Sequence, residues 1–115
     1  MNTPSHPLQP FPQGESLAFC LRLQPGCADE YRRRHDSLWP QMRQALLAAG
    51  VLQYEIFLEP HSLLLFAFMV RKSEHRMDQL PEQLVWQRWR EYMSDILVQE
   101  EGKPLRMDLN PMFRL

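Results

Sequence analysis

The spacing of apolar residues alternates along the chain between the two-residue period of a strand and the longer period of a helix. Apolar and polar side chains alternate over residues 16–24 and again over residues 51–59, which predicts two half-buried strands. Residues 63–70 are apolar on both faces, so a central strand is expected there, antiparallel to the strand before it because the connecting turn is short. A last strand is predicted over residues 105–113, and the proline within it is typical of an edge strand or a bulge.

Helical patterns fill the two long gaps between these strands. The first predicted helix covers residues 28–35, and a second begins at Pro40, because a proline fits the first helical turn but disfavours helix in the residue before it. The second helix carries an apolar stripe at helical spacing, which consists of Met42, Ala45, Leu46 and Ala49. A short helix with Ser73 as its N-cap and a longer helix over residues 82–97 are predicted after the third strand.

The resulting element order is β-α-β-β-α-β, which predicts an α+β fold of ferredoxin-like topology with the helices on one face of an antiparallel sheet. That arrangement leaves the opposite face of the sheet uncovered. The strands carry large apolar groups on both faces, namely Tyr54, Phe57, Phe66 and Phe68. A homodimer that packs sheet against sheet is therefore expected, because it would remove the second apolar face from water.

Length and proline content predict the domain organisation. A chain of 115 residues has the size of one domain. Four of its ten prolines lie in the first twelve residues, where apolar periodicity is absent. Residues 1–14 are therefore predicted to be a disordered arm, and the folded domain is expected to span residues 15–115.

Charge and residue types exclude several classes of partner. The formal net charge is -1, so the basic excess of a nucleic-acid-binding protein is missing. The longest apolar run has eight residues, which is too short to cross a membrane. No glycine-rich phosphate loop occurs and the four histidines show no metal-ligand spacing, so no cofactor and no metal are expected. The two cysteines and the lack of a secretion signal indicate reduced thiols in the cytoplasm.

Tyr31 and His35 are the first pair of residues that could carry chemistry. They are four residues apart and so share one face of the predicted helix. Imidazole titrates near neutral pH, which suits general acid–base catalysis. From these two residues alone, a packed face with a satisfied imidazole is the favoured interpretation, and proton transfer is the alternative. The arginines at 32–34 are interpreted as a solvated face paired with neighbouring acids.

A second group combines Trp86, Trp89 and Tyr92 with arginine and glutamine side chains. Such a group suits a carbohydrate, because an aromatic ring covers the C–H face of a sugar while polar side chains bind its hydroxyl groups. A tryptophan on an apolar stripe is more often a core residue, and by spacing alone this interpretation is favoured for Trp89. Trp86 is expected on a partly exposed flank.

The string Tyr31-Arg-Arg-Arg-His35-Asp-Ser-Leu-Trp39-Pro40 resembles a motif of the L-rhamnose mutarotase family. Residues 16–115 are similar to that family throughout; the other matching segments are residues 50–58 with Tyr54, Gln87-Arg88-Trp89 with Tyr92-Met93, and residues 109–113. Members are small dimeric α/β-barrel proteins of ferredoxin-like topology, and they interconvert the α and β anomers of a 6-deoxyhexose without a cofactor. The resemblance therefore implies a carbohydrate isomerase that acts on a free monosaccharide.

The resemblance also implies roles for single residues. His35 would be the proton donor, and Tyr31, Tyr54 and Trp89 match positions that contact the sugar. Arg90 stands where the rhamnose enzymes typically carry a second tryptophan, and we assign it to substrate binding. Because this difference alters the pocket, L-fucose, another 6-deoxy sugar, is an alternative substrate. A cofactor-free dimeric α/β-barrel monooxygenase and a non-catalytic sugar-binding dimer are alternatives from other functional classes.

Overall fold

A computed structural model describes residues 14–115. Its elements, in chain order, are β1 (Gly14–Arg22), α1 (Ala28–Asp36), α2 (Pro40–Ala48), β2 (Val51–Glu59), β3 (Leu64–Lys72), a 3₁₀ helix (Met77–Glu82), α3 (Leu84–Met93), β4 (Gln99–Glu100), β5 (Lys103–Pro104) and β6 (Arg106–Leu109). The arm predicted over residues 1–14 lies outside the described residues except for Gly14, the first residue of β1, so the arm stays a prediction. Within the described range, no helix is both long and apolar enough to span a bilayer.

Four of the strands form one antiparallel sheet in the order β2-β3-β1-β6. β3 lies between β2 and β1 and pairs with both, as its apolar sequence predicts. β1 and β3 stay in register over their whole length, from Gly14 opposite Lys72 to Arg22 opposite Leu64. Helices lie between β1 and β2 and between β3 and β6 in the chain, which is the ferredoxin-like arrangement. The predicted α+β fold is therefore confirmed.

The chain between β1 and β2 bends at two positions that the sequence marks. α1 ends at Asp36 and α2 begins with Pro40, whose ring fits the first helical turn. After α2 the chain reverses at Gly50, whose φ is 108°, a value that residues with a side chain rarely adopt. A Cβ at this position would also lie 3.1 Å from the Cβ of His75. These bends return both helices to the same face of the sheet.

The core lies between the helices and this face of the sheet. Strand residues that lie directly opposite one another share a face, and Leu21, Leu65 and Leu58 form such a row. Leu65 is buried in one cluster with Tyr31 of α1 and Met42 of α2, so the row faces the helices. Burial of a leucine or methionine side chain stabilises the fold by about 1.5–3 kcal/mol. This helix-facing side of the sheet also positions the site described below.

The opposite side of the sheet, which we call the outer face, is not covered by any helix of residues 14–115. A continuous row crosses all four strands on this face, from Phe57 through Phe66 and Cys20 to Met107. Phe57 is 60% exposed, and Phe66 and Met107 are also exposed. Cys20 is buried between its neighbours, and this burial raises the pKa of its thiol. A contiguous apolar surface of this kind is typical of an interaction site.

The sheet extends beyond two of the predicted strand ends. β1 begins at Gly14 rather than residue 16, and β3 continues to Lys72, because these two residues pair with each other. β1 also ends at Arg22, two residues earlier than predicted. A bulge between Val51 and Gln53 removes Leu52 from the alternation predicted for β2. The pattern alone does not reveal the bulge, because Leu52 fits the alternating sequence.

The predicted helices after β3 are only partly correct. Ser73 is not an N-cap, because the short helix is a 3₁₀ helix that begins at Met77. The helix predicted over residues 82–97 ends at Met93. The chain turns back after this residue, and Leu97 forms an antiparallel β-bridge with Leu23, the residue that follows β1. Tertiary pairing therefore ends the helix earlier than its apolar stripe predicts.

The end of the chain also differs from the prediction. The strand expected over residues 105–113 is β6, which covers only Arg106–Leu109. Pro111 lies two residues after the end of β6, and it has no N–H to donate to a neighbouring strand. The small hairpin of β4 and β5 before it was not predicted, because two-residue strands carry no measurable period.

Candidate active site

A cleft of about 1150 Å³ opens between the helices and the helix-facing side of the sheet. Ligand pockets commonly measure roughly 300 to 1,000 Å³, so a monosaccharide and ordered water fit within it. Helices α1, α2 and α3 border it on one side, and strands β1, β2, β3 and β6 border it on the other. All five site residues proposed from the sequence border this cleft: Tyr31, His35, Tyr54, Trp89 and Arg90.

Three of these side chains form a packed aromatic group. The rings of Tyr31 and His35 are stacked with their centroids 4.3 Å apart, as a spacing of four residues on a helix allows. Trp89 approaches His35 edge-on, at 5.5 Å between centroids. Trp89 is 9% exposed, so it is a core residue whose ring also borders the cleft. The two interpretations that the sequence left open for Trp89 are therefore compatible.

The hydrogen bond made by His35 defines its protonation. Its Nδ1 lies 3.1 Å from the backbone carbonyl oxygen of Tyr31, and a carbonyl oxygen only accepts, so Nδ1 carries the proton. In the neutral ring Nε2 is then unprotonated, and no residue within 14–115 bonds to it. Burial lowers the pKa of His35 below its usual value, because desolvation disfavours the imidazolium. Near neutral pH, Nε2 is therefore available to accept a proton.

The two tyrosines of the cleft keep their protons. Burial raises the pKa of Tyr31, and the nearby phenol of Tyr54 raises it further. Burial also raises the pKa of Tyr54 to about 12, although part of this residue is exposed to solvent. Neutral phenols both donate and accept hydrogen bonds, so they suit the binding of sugar hydroxyl groups. Of Tyr31, His35 and Tyr54, only His35 has a lowered pKa.

Two further aromatic residues support Trp89 without bordering the cleft. Trp39 lies edge-on to Trp89 with 5.1 Å between ring centroids. Tyr92 lies 5.6 Å from Trp89 and 5.4 Å from Trp39. Trp39 belongs to the same sequence string as His35, but its contact with α3 becomes visible only in the folded chain. The pair holds the indole of Trp89 in place from behind.

Trp86 and Arg90 lie one helical turn apart on α3, and both border the cleft. Trp86 is half-buried, in agreement with its predicted place on a flank. Its indole N–H is buried and has no hydrogen-bond partner among the residues described. Arg90 forms no ion pair within residues 14–115. The guanidinium of Arg90 is thus available to a ligand that enters the cleft.

Arg106 is a cleft residue that the sequence did not single out. It lies on β6 opposite Leu21 of β1, and therefore on the helix-facing side of the sheet. Its guanidinium carbon lies 3.8 Å from the centroid of the Phe19 ring. No local pattern around position 106 indicates this placement, because it depends on the pairing of the last strand with the first. Which strands pair cannot be predicted from local patterns in a single sequence, so the position of Arg106 could not be predicted either.

The side of α1 that faces away from the cleft is held by ion pairs. Glu30 accepts hydrogen bonds from Arg33 and Arg34 at 2.6–2.8 Å, and these bonds hold the pKa of Glu30 at about 2. Arg34 also donates to Asp95 at 2.8 Å and to the backbone carbonyl of Tyr92 at 2.7 Å. The predicted pairing with a neighbouring acid is confirmed for these two arginines, but the predicted solvated position is wrong for Arg34, whose side chain is only 10% exposed. Arg32 forms no ion pair within residues 14–115 and borders the cleft. The link to Asp95 was not predicted, because that residue is distant in sequence.

Metal-ligating and nucleophilic groups are sparse around the cleft. Among residues 14–115, no three His, Cys, Asp or Glu side chains are grouped so that they could hold a metal ion. Cys20 and Cys27 are free thiols, and neither borders the cleft. The cleft is bordered by imidazole, phenol, indole and guanidinium groups, and also by the carboxylates of Asp29, Asp36 and Asp78 and the ammonium group of Lys103.

Comparison with known sequences identifies relatives over nearly the whole described chain. The sequence profile of the L-rhamnose mutarotase family matches residues 16–115. The L-rhamnose mutarotase of Burkholderia orbicola (strain MC0-3) is 47% identical over 102 residues, which cover 88% of this chain and 98% of the relative. The L-rhamnose mutarotase of a Jannaschia species is 40% identical over the same shares of the two chains.

Solved structures agree with this relationship. The crystal structure of an L-rhamnose mutarotase from Formosa agariphila is similar with a TM-score of 0.78 and 32% identity, covering 88% of this chain and 98% of that one. A protein from Nitrosomonas europaea assigned to the antibiotic biosynthesis monooxygenases has a TM-score of 0.59 at 8% identity, covers 88% of this chain and 92% of its own, and shares the fold alone. The chain thus belongs to the L-rhamnose mutarotase family.

Proposed function

We propose that this protein interconverts the α and β anomers of L-rhamnose by general acid–base catalysis at His35. The observation that carries this proposal is the unpaired Nε2 of His35, which lies in the cleft beside Tyr31 and Trp89. Mutarotases are isomerases of carbohydrates, and membership of the family makes this chain one of them. The names of the relatives favour L-rhamnose as the substrate.

The reaction requires two proton transfers and no change of oxidation state. The anomeric hydroxyl loses a proton, the ring oxygen gains one, the bond from C1 to the ring oxygen breaks, and a carbonyl forms at C1. The open sugar rotates about the bond from C1 to C2 and closes on the other carbonyl face by the reverse transfers. An acid and a base with pKa values near neutral pH are needed for both steps.

His35 exchanges one of these protons through Nε2. The second proton passes through either the Tyr31 hydroxyl or a bound water, and the raised pKa of Tyr31 favours the water. Tyr31 and Tyr54 then hold hydroxyl groups of the sugar, and the indole of Trp89 covers its apolar face. Arg90 donates hydrogen bonds at the position where a second tryptophan is typical. Together these side chains bind the ring and leave room for rotation about one bond.

Exchange between anomeric protons, measured by saturation-transfer NMR, tests the role of His35. General acid–base catalysis typically contributes about 10² to 10⁴-fold, so His35→Ala is expected to lose activity in that range. His61→Ala is the matched control, because His61 is an exposed turn residue outside the cleft, and it should exchange anomers at the parent rate. An unchanged rate in His35→Ala would show that another group transfers the proton.

The identity of the sugar is tested with the same assay on L-rhamnose, L-fucose, D-galactose and L-mannose. We expect the largest catalysed exchange with L-rhamnose. The variant Arg90→Trp restores the second aromatic ring typical of the rhamnose enzymes. Its exchange rates with the four sugars show how much of the sugar preference depends on position 90 alone. Exchange of L-fucose alone by the parent protein would make the fucose enzyme the correct alternative and leave the role of His35 intact.

The alternatives from other classes have separate signatures. A cofactor-free monooxygenase would consume oxygen with a quinol-like substrate, but the structural likeness to such proteins extends to the fold alone. A non-catalytic sugar-binding dimer would be stabilised by a sugar without accelerating its anomer exchange. Membership of the L-rhamnose mutarotase family favours the mutarotase activity over both alternatives.

We also propose that the protein is a homodimer of the cytoplasm. The exposed row of Phe57, Phe66 and Met107 on the outer face supports sheet-to-sheet packing of two copies. The free thiols of Cys20 and Cys27 support a reducing compartment. A monomeric mass in sedimentation at micromolar concentration would contradict the dimer, and cell fractionation tests the location. Phe57→Lys is expected to shift the dimer towards monomer.

A further inference from the structure

We propose that Arg106 is a further substrate-contacting residue, which donates hydrogen bonds to sugar oxygens from the sheet wall of the cleft. This role rests on the proposed function and extends it to the wall opposite the helix that carries His35. Arg106 is outside the sequence segments that suggested the family, and it enters the cleft only through the pairing of β6 with β1.

Two contacts hold Arg106 on the cleft side of the sheet. In β6 it lies opposite Leu21, a member of the row that faces the helices. Its guanidinium carbon stands 3.8 Å from the ring centroid of Phe19, which also borders the cleft. A guanidinium at this distance is attracted to the face of the ring. The cation therefore lies against the sheet wall of the cleft, with its side chain 48% exposed.

Most of the hydrogen-bonding capacity of Arg106 is unused. Nε donates to Oδ1 of Asp108 at 2.7 Å, but neither Nη atom has a partner within residues 14–115. A guanidinium carries five N–H donors, so the two Nη groups are free to bind a ligand. Arg34 differs, because Nε, Nη1 and Nη2 all bond to protein atoms there. Arg34 is thus a structural arginine, whereas Arg106 presents donors to the cleft.

Electrostatic effects connect Arg106 with the proposed proton-transfer group. Tyr54 and Arg106 both border the cleft. Burial raises the pKa of Tyr54 to about 12, and the charge of Arg106 opposes this shift. Tyr54 in turn raises the pKa of Tyr31, whose ring stacks on His35 at 4.3 Å. Polar groups therefore follow one another across the cleft from the sheet wall to the helix wall. A sugar bound between Trp89 and the sheet would contact both ends.

The guanidinium of Arg106 combines a permanent positive charge with hydrogen-bond donors, and both suit contact with sugar oxygens. It is always protonated near neutral pH, so it cannot compete with His35 as a base. When the pyranose opens, negative charge develops on the oxygen that gives up its proton. Donors already fixed beside this oxygen stabilise such charge without reorganising. Arg106 therefore binds the sugar in both states and binds it more strongly as the ring opens.

The test compares Arg106→Met with Asp108→Asn in the NMR exchange assay. A hydrogen bond to a charged group typically changes an equilibrium by about 10- to 100-fold, so Arg106→Met should lower kcat/KM by this factor, with kcat falling as well as KM rising. Asp108→Asn removes the ion pair and keeps the cation, and it should stay within about threefold of the parent. Arg106→Lys, which keeps the charge, should recover part of the loss.

Two results would overturn the proposal. Equal losses in Arg106→Met and Asp108→Asn would show that Arg106 acts only through its ion pair. A rate within about twofold of the parent in Arg106→Met would show that it does not contact the sugar. Circular dichroism and thermal unfolding serve as fold controls, and little change is expected because the pair is exposed.

The experiments distinguish a protein without mutarotase activity from a mutarotase in which Arg106 does not contact the sugar. The parent protein is assayed first, and a parent that exchanges no anomers of any sugar in the panel contradicts the mutarotase activity. Binding then provides the second readout, because the chain has three tryptophans whose indole N–H signals report a titration with L-rhamnose. Arg106→Met should weaken this binding about tenfold, and equal binding would overturn the contact.

Discussion

Helix α1 has two faces of opposite character within nine residues. The cleft face presents Tyr31 and His35, which are stacked on each other and largely removed from water. The other face presents Glu30, Arg33 and Arg34, which are joined by short ion pairs. Ring stacking and burial stabilise the cleft face, whereas ion pairs stabilise the other face. Adjacent residues in the sequence, Arg34 and His35, therefore serve different purposes.

On this short helix, the neutral imidazole of His35 is adjacent in sequence to the charged guanidinium of Arg34. The guanidinium of Arg34 is committed to the carboxylates of Glu30 and Asp95, so its charge is balanced away from the cleft. His35 is then governed mainly by burial, which lowers its pKa. The helix thus separates a structural charge network from the imidazole that we propose transfers protons by less than one turn.

Removing Trp89 is expected to have the largest effect, because it exposes the cleft face of α1 to water. Trp89→Ala should lower the free energy of unfolding by about 3–5 kcal/mol, the usual cost of deleting a buried aromatic ring. It should also raise the pKa of His35 towards its usual value, because the desolvation is reduced. Urea unfolding and an NMR titration of the imidazole measure both. Trp89→Phe, which keeps a ring, is the control, and an unchanged His35 pKa in Trp89→Ala would contradict the role of burial.

Removing Arg34 is expected to disturb the charged face and leave the cleft face intact. Arg34→Met deletes the bonds to Glu30, to Asp95 and to the end of α3. The midpoint of urea unfolding should fall by less than in Trp89→Ala, while the pKa of His35 stays lowered. A rise in the His35 pKa that matches the rise in Trp89→Ala would show that the two faces are not independent.

Lowering the pH should weaken the cleft face before the charged face. The folded pKa of His35 is below 6.5, so below that pH the unfolded chain binds more protons and the free energy of unfolding falls until the folded pKa is reached. Glu30 has a pKa of about 2 instead of 4.5, so its contribution is complete above pH 4.5 and is lost only as the pH approaches 2. Urea unfolding between pH 6.5 and 4.5 should therefore show a loss that His35→Asn reduces. An equal slope in both proteins would contradict this assignment.

Replacing Arg33 is expected to have the smallest effect. Its side chain is 62% exposed, and Glu30 keeps its bond to Arg34 when Arg33 is removed. Exposed ion pairs contribute little to stability, so Arg33→Met should unfold at the same urea concentration as the parent. A loss as large as in Arg34→Met would show that charge number, rather than the link to α3, stabilises this face.

Local sequence patterns predicted the parts of the fold in which neighbouring residues decide the structure. The bounds of β2 are as predicted, and Pro40 begins α2 as expected, because alternation and proline chemistry act over a few residues. The bulge at Leu52 and the end of α3 at Met93 were not predicted. Both depend on which strand lies alongside, and that information is distributed over distant parts of the chain.

The same distinction applies to the cleft. Tyr31 and His35 were paired correctly because four residues make one turn of a helix, whatever surrounds it. Arg106 was missed because its neighbours in space, Phe19 and Leu21, lie in the first strand of the chain. Residues that share one helix can be placed in the cleft from their sequence spacing alone. Residues on different strands can be placed there only when the strand pairing is known.

The bond from Nδ1 of His35 to the carbonyl of Tyr31 has a consequence for turnover. Because that nitrogen keeps its proton, the proposed reaction uses only Nε2 to accept and return a proton, and the imidazole ring does not need to rotate. Under the proposed function, each cycle ends with the enzyme in the state in which it began, whichever anomer entered. No regeneration step is needed, and the net direction of conversion depends only on the concentrations of the two anomers.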